Sequence, residues 1–190
     1  ETTGEHGLLE GDFLPFAAVW PTVRDGYLAW LADYDATGSH FERAEAEGHT
    51  PLGAWQLVGR LDRVDRGADG QTLVIDYKTE SRQRTADRIK DGAEDTQLAF
   101  YAALLPDDSL RAAYLNVGER DGTKLYEQAD VTALRDRLLA GIQSDLQRIA
   151  DGHAMPALGE GSACDWCAAR GLCRKDSWAV PATPTEEGAT

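Results

Sequence analysis

"WQLVGRLDRVDRGADGQTLVIDYK", residues 55–78, reads as two strands joined by a tight turn. In its first half Trp55, Leu57, Gly59 and Leu61 alternate with Val58, Arg60 and Asp62, the period of a strand with two unlike faces. Asp69 followed by Gly70 is a strong hairpin signal, because Gly accepts the positive φ such turns need. The second half sets the branched apolar run Leu73, Val74, Ile75 directly before Asp76 and Lys78. That pattern is a buried strand ending in an acid and a base on one face. A turn centred near Asp69 brings Asp62 opposite Asp76, where Cβ atoms stand about 4.5–5.5 Å apart and like charges repel.

Two arrangements would offset that repulsion. Asp62 could pair with Arg60 or Arg63, and Asp76 with Lys78, as ordinary salt bridges at a sheet edge. Alternatively both carboxylates, with a backbone carbonyl, could hold an oxygen-seeking cation such as Mg²⁺ or Mn²⁺. Lys78 would then stand beside the metal, placed to orient a water and to counter charge developing on a phosphate oxygen. The reaction implied is hydrolysis of a phosphodiester.

Upstream, "WPTVRDGYLAWLADYDATG" predicts a helix from Pro21, with Val23, Tyr27, Trp30, Leu31 and Tyr34 on one stripe and Gly38 as its stop. "HFERAEAE" reads as a further strand. Downstream comes a polar, basic stretch with Arg82, Arg84, Arg88 and Lys90, then "EDTQLAFYAALLP", a helix capped by Asp95 or Thr96 and limited by Pro106. Gln97 and Tyr101 share a face of that helix. "LRAAYLNV" and "KLYEQADV" predict two more strands around a turn at Asp121 and Gly122, and a last helix runs from Val131 to Asp151, with Asp130 as cap and Gly152 as stop. The order is helix, three strands, helix, two strands, helix: an α+β or mixed α/β domain over 1–176, followed by a flexible tail, 177–190.

A length of 190 residues, 42% of them hydrophobic, suits one soluble globular domain. The net charge of −14 argues against a wide nucleic-acid-binding face but leaves room for a local one. Arg60, Arg63 and Arg66, then Lys78, Arg82, Arg84, Arg88 and Lys90, form such a local concentration, which a solvated loop would also explain. No apolar run approaches the roughly 20 residues of a membrane helix, and "ETTGEHGLLEGDF" lacks the basic start and apolar core of a signal peptide, so a cytoplasmic location is expected.

"GRLDRVD…LVIDYKTE…QLAFYAALL" resembles the nuclease domain of the PD-(D/E)XK superfamily, in particular the RecB-like group of bacterial helicase-nucleases such as AddB and related exonucleases. The resemblance implies a restriction-endonuclease-like core, a central mixed sheet flanked by helices. It implies that Asp62, Asp76 and the carbonyl of Tyr77 ligate Mg²⁺ or Mn²⁺, that Lys78 is the catalytic lysine, and that Gln97 and Tyr101 are the QxxxY motif associated with DNA contact. Substrate phosphates would meet Arg82, Arg84, Arg88 and Lys90. The activity implied is that of a deoxyribonuclease, an exonuclease in DNA repair or recombination, partnered by a helicase domain or subunit. Glu45 falls where many relatives carry a glutamate and reads as a surface residue. A metal-binding histidine in a pattern like GxxxHxxLE is matched only by His6, Leu9 and Glu10, too close to the helix at Trp20. The histidine itself is expected upstream of Glu1.

Cys164, Cys167 and Cys173 make a CxxC followed by a third cysteine, an odd set that favours metal or redox chemistry over disulfides. In iron-sulfur RecB-like proteins three such residues join one N-terminal cysteine around a [4Fe-4S] cluster. This chain has no fourth cysteine, so a cluster is expected in a longer protein and not in this chain; free thiols or adventitious zinc are the other readings. A metal-binding or redox domain organised around these cysteines, and a non-catalytic DNA-binding or protein-docking module keeping the nuclease fold, are the rival functions. The second is disfavoured by the presence of both Asp76 and Lys78.

Overall fold

The computed structural model describes residues 7, 10–90, 92–118, 122–154, 164 and 167–173. Its central hairpin joins β2 (Trp55–Arg66) to β3 (Thr72–Lys78), with Arg63 opposite Ile75, Val64 opposite Val74, Asp65 opposite Leu73 and Arg66 opposite Thr72. The ladder ends at Arg63 and Ile75, one step short of Asp62 and Asp76, and Asp62 Oδ2 reaches the Tyr77 N–H at 3.2 Å. The turn is set by side-chain chemistry. Gly67 N–H donates to the Gln71 carbonyl at 2.9 Å, Asp69 Oδ1 accepts the Gln71 N–H at 2.9 Å, and Gly70 takes a φ of 79°.

Around the hairpin stands a five-stranded sheet in sequence order: β1 (His40–Leu52), β2, β3, β4 (Arg111–Gly118) and β5 (Gly122–Glu127). All neighbours are antiparallel except β3 and β4, which are parallel from Leu73–Arg111 to Lys78–Asn116. A parallel pair needs a crossover. Here it is made by α2 (Arg82–Lys90) and α3 (Gln97–Ala103). The basic stretch is therefore helical, a finding periodicity could not give, because Thr85 is the one residue of α2 that is fully buried. The Ser81 carbonyl accepts the Thr85 N–H at 3.2 Å, which starts the helix.

Val74 and Ala112 face a core built on α3, with Leu61, Val64, Leu98, Ala102, Leu104, Leu110, Tyr114 and Val131; Leu73, Ile75, Ala113 and Leu115 face Tyr34 on α1 (Glu10–Ala36). The period of two thus gives the central strands two buried faces. At the outer hairpin Gly48 pairs with Gly59, and a Cβ on either would lie 2.8 or 2.7 Å from Leu104 side-chain atoms. The α1 helix starts earlier than its sequence suggests and contains Pro15 and Pro21. Ring contacts link Phe13 to Phe16 and Phe16 to Trp20, at 5.0 and 5.6 Å between centroids, and run through this segment.

Arg63 does not join a basic rim. It turns to the α1 face and is buried there, its Nε donating to Asp65 Oδ1 and Oδ2 at 2.8 and 3.0 Å. Its guanidinium lies 5.7 Å from the ring centres of Trp30, Tyr34 and Phe41, and Nη1 donates to Tyr27 Oη at 3.1 Å. The sheet fills one side of this pair and α1 the other.

The chain divides into two compact units, Glu1–Asp145 and Leu146–Thr190, with the boundary inside α4 (Val131–Ala150). That helix ends as expected: Gly152 has a φ of 78°, its N–H reaches the Ile149 carbonyl at 3.0 Å, and the His153 N–H reaches the Arg148 carbonyl at 2.9 Å. The second unit holds a short helix, α5 (Arg170–Cys173). The expected tail, 177–190, and His6 lie outside the described residues. No helix among the described residues is long and apolar enough to cross a membrane.

Replacing Asp65 by Ala would leave the Arg63 guanidinium buried and unpaired, a loss of about 3–5 kcal/mol. Urea unfolding of the Asp65→Ala variant should show a midpoint lowered accordingly, and an unchanged midpoint would show that α1 does not depend on this pair.

Candidate active site

Between Ala44–Arg63 and Ala46–Leu61 the β1–β2 ladder skips one pair, Glu45 and Asp62, and Glu45 takes a φ of 49°. An interruption of this kind re-aims side chains beside it. Arg63 and Asp65 face α1, whereas Leu61 and Gly59 pack against α3, so the strand reverses its buried face at Asp62. Asp62 Oδ2 accepts the Tyr77 N–H at 3.2 Å, which ties it to the end of β3.

The salt bridges that would have made this an ordinary sheet edge do not form around Asp62. Arg60 pairs with Glu45 at 2.9 Å, Arg63 with Asp65, and Arg66 with Glu42 at 3.1 Å; among the described residues Asp62 has no cationic partner within salt-bridge distance. Glu45 is thereby engaged at the surface.

Asp76 is 2% exposed. Its Oδ1 accepts Gln97 Nε2 at 2.6 Å, and Gln97 Oε1 accepts Lys78 Nζ at 2.7 Å. Lys78 Nζ stands 2.7 Å from Asp76 Oδ2, closing a triangle of acid, amide and ammonium. That last contact is ionic, without hydrogen-bond alignment, and leaves a buried carboxylate oxygen with no directional partner. Burial pushes the Asp76 carboxyl above its usual range, Lys78 pulls it back, and the charge of Asp62 pushes it up again. Tyr101 Oη accepts Gln97 Nε2 at 3.3 Å, and burial raises this phenol too. Both side chains reach the strands because Leu98, Ala99, Ala102 and Ala103 fix α3 in the core.

The donor set fits a hard divalent cation: two carboxylates on adjacent strands beside the backbone of Tyr77. Among the described residues no group of three or more His, Cys, Asp or Glu side chains could hold a metal, so any cation here relies on two carboxylates and backbone or water oxygens. The described cysteines are free thiols, and the chain's three fall one short of the four thiolates of the expected [4Fe-4S] site.

Arg88 belongs elsewhere than expected. Its Nε and Nη2 donate to Glu80 at 2.6 and 3.0 Å, and its Nη1 to Asp95 at 2.5 Å, so its guanidinium is committed within the protein. Lys90 pairs with Asp87 at 2.6 Å. Arg84 touches Glu80 at 3.1 Å but is 72% exposed. Asp95 also accepts the hydroxyl of Tyr114 at 2.5 Å and the Gln97 N–H at 3.4 Å, and so tethers the start of α3, where Thr96 makes no side-chain cap. Of the two cap candidates in the sequence, Asp95 is the one that meets a helix N–H, whereas Tyr114 and Glu80 carry no local motif and sequence spacing does not reveal them.

The fold and site therefore define a protein with an acid pair and a lysine at the end of a hairpin in a mixed sheet. The family model of the PD-(D/E)XK nuclease superfamily matches residues 6–174, and the chain belongs to that superfamily. Its five-stranded sheet flanked by helices is the restriction-endonuclease-like core, and membership implies nuclease chemistry in general. No curated protein matches the chain. Among solved structures, one titled "Crystal structure of SSO0001" is similar at 17% identity over 85% of this chain and 77% of that one, with a TM-score of 0.42, too loose for residues to be equated.

Hydrogen bonds from Arg88 hold the Glu80 carboxyl below its usual range. Burial alone would raise Asp95, but the bonds from Tyr114 and Arg88 outweigh it and lower it as well. Depressed carboxyls contribute stability that is present above their unfolded values, about 4, and is lost as pH falls through their folded values. The Arg88→Leu variant should therefore show a flatter fall in stability with acid below about pH 4 than the native chain, read by thermal melts at stepped pH.

Proposed function

We propose that the domain, expected over 1–176, is a metal-dependent deoxyribonuclease of the RecB-like group. The observation that carries this reading is the closed contact of Asp76, Lys78 and Gln97 beside Asp62, an acid with no cationic partner among the described residues. Asp62, Asp76 and the Tyr77 carbonyl would hold Mg²⁺ or Mn²⁺, which when bound supplies Lewis acidity toward a phosphate oxygen. Lys78, held by Asp76 and Gln97, presents its ammonium to the negative charge that grows on the phosphate as water adds and the P–O ester bond breaks. Gln97 fixes both the acid and the base, and Tyr101 braces Gln97. Arg82 and Arg84, at the start of α2, contact substrate phosphates, which reconciles a local basic edge with an acidic chain.

The RecB-like resemblance supports DNA as substrate, exonuclease action, a role in repair or recombination, and a helicase domain or subunit as partner. A [4Fe-4S] cluster involving Cys164, Cys167 and Cys173 would need a fourth thiolate from beyond this chain.

Single- and double-stranded DNA incubated with the chain and Mg²⁺ or Mn²⁺ should be cut, and EDTA should abolish cutting. Asp76→Ala and Lys78→Ala should each lower the rate at least about 100-fold without loss of the folded state, judged by circular dichroism. Cleavage that persists in both variants would rule out this site.

A further inference from the structure

Lys78 has a third neighbour that the metal-and-acid reading does not use. Its Nζ lies 4.8 Å from the centre of the Tyr114 ring, on β4, where Tyr114 pairs with Asp76 across the parallel ladder. The ring is 1% exposed. Its hydroxyl donates to Asp95, whose other oxygen takes Arg88, which in turn grips Glu80. One carboxylate thus fixes the ring beneath Lys78 and also, through the Gln97 N–H, the helix start that carries Gln97.

We propose that the face of Tyr114 is the seat of the Lys78 ammonium, making Tyr114 a positioning residue; its role in cleavage rests on the nuclease reading above. A lysine has a flexible four-carbon stem and a compact charge, so its head stays in one place only if it is held from several directions. Asp76 and Gln97 hold it by charge and hydrogen bond. The electron-rich face of Tyr114 supplies the remaining contact, strongest where water is excluded, and the Lys78 side chain is 16% exposed. Packing alone would not call for a tyrosine here. A buried hydroxyl is costly unless bonded, and this one is bonded to the acid that also orders Gln97.

Two measurements test the seat, one of them independent of activity. In the folded native chain the ε-methylene protons of Lys78, assigned by comparison with the Lys78→Arg variant, should be shifted upfield by the ring current. Tyr114→Phe should keep that shift and Tyr114→Leu should lose it. In DNA cleavage Tyr114→Leu should lower kcat about tenfold, the scale of one desolvated cation–π contact, with KM little changed, whereas Tyr114→Phe should stay within about threefold of native. Lys78 protons at unshifted positions in the native chain would overturn the seat even if Tyr114→Leu does not fold. So would a folded Tyr114→Leu variant with native kcat. A native chain that binds but does not cut DNA would overturn the nuclease reading alone, since the ring shift still decides the seat.

Discussion

The constraint on which this structure turns is that a carboxylate, Asp76, is buried to 2% exposure within reach of the charge of a second one, Asp62. An isolated buried charge is among the costliest features a fold can contain, and a like charge across the strand adds to that cost. The chain answers from one side only. Gln97 and Lys78 engage Asp76, while the arginines nearest to Asp62 in sequence are turned away to Glu45 and Asp65.

Much of the surrounding architecture holds that arrangement still. On one face the Arg63–Asp65 pair and the aromatic rings of α1 close over the sheet; on the other, α3 presents Gln97 and Tyr101 from a helix rooted by Leu98 and Ala102. Tyr77 links the faces. Its N–H holds Asp62, and its hydroxyl lies 3.4 Å from both Tyr27 Oη and Arg63 Nη1 behind the sheet. The Glu80–Arg88–Asp95–Tyr114 chain does similar work under α2, so groups that look like a basic surface in sequence are spent on internal order.

The hairpin was legible because its signals are local: alternation, Asp69–Gly70, and a branched run before Asp76. The same holds for α3, α4 and the strands β4 and β5, each bounded by a cap, a glycine or a proline close at hand. The helix α2 was not legible, because with one buried residue it has no apolar stripe and depends on Ser81, on ion pairs to Glu80 and Asp95 on either side of it, and on Asn116 of β4 bonded to Thr85. Nor was the fate of Arg63 and Arg88. A side chain's face in a strand depends on twist and on interruptions such as the one at Glu45, and a guanidinium's partners depend on which helix lands above it.

The sequence alone determined which residues are available for chemistry, Asp62, Asp76, Lys78, Gln97 and Tyr101, because spacing along a strand or helix fixes which side chains share a face. Tertiary structure decided what each of them meets. The parallel pairing of β3 with β4 brings Tyr114 under Lys78, and the crossover through α2 and α3 brings Asp95 to Tyr114. Contacts between elements so distant in the chain follow from closing the sheet and packing both its faces at once, and no local pattern encodes that closure.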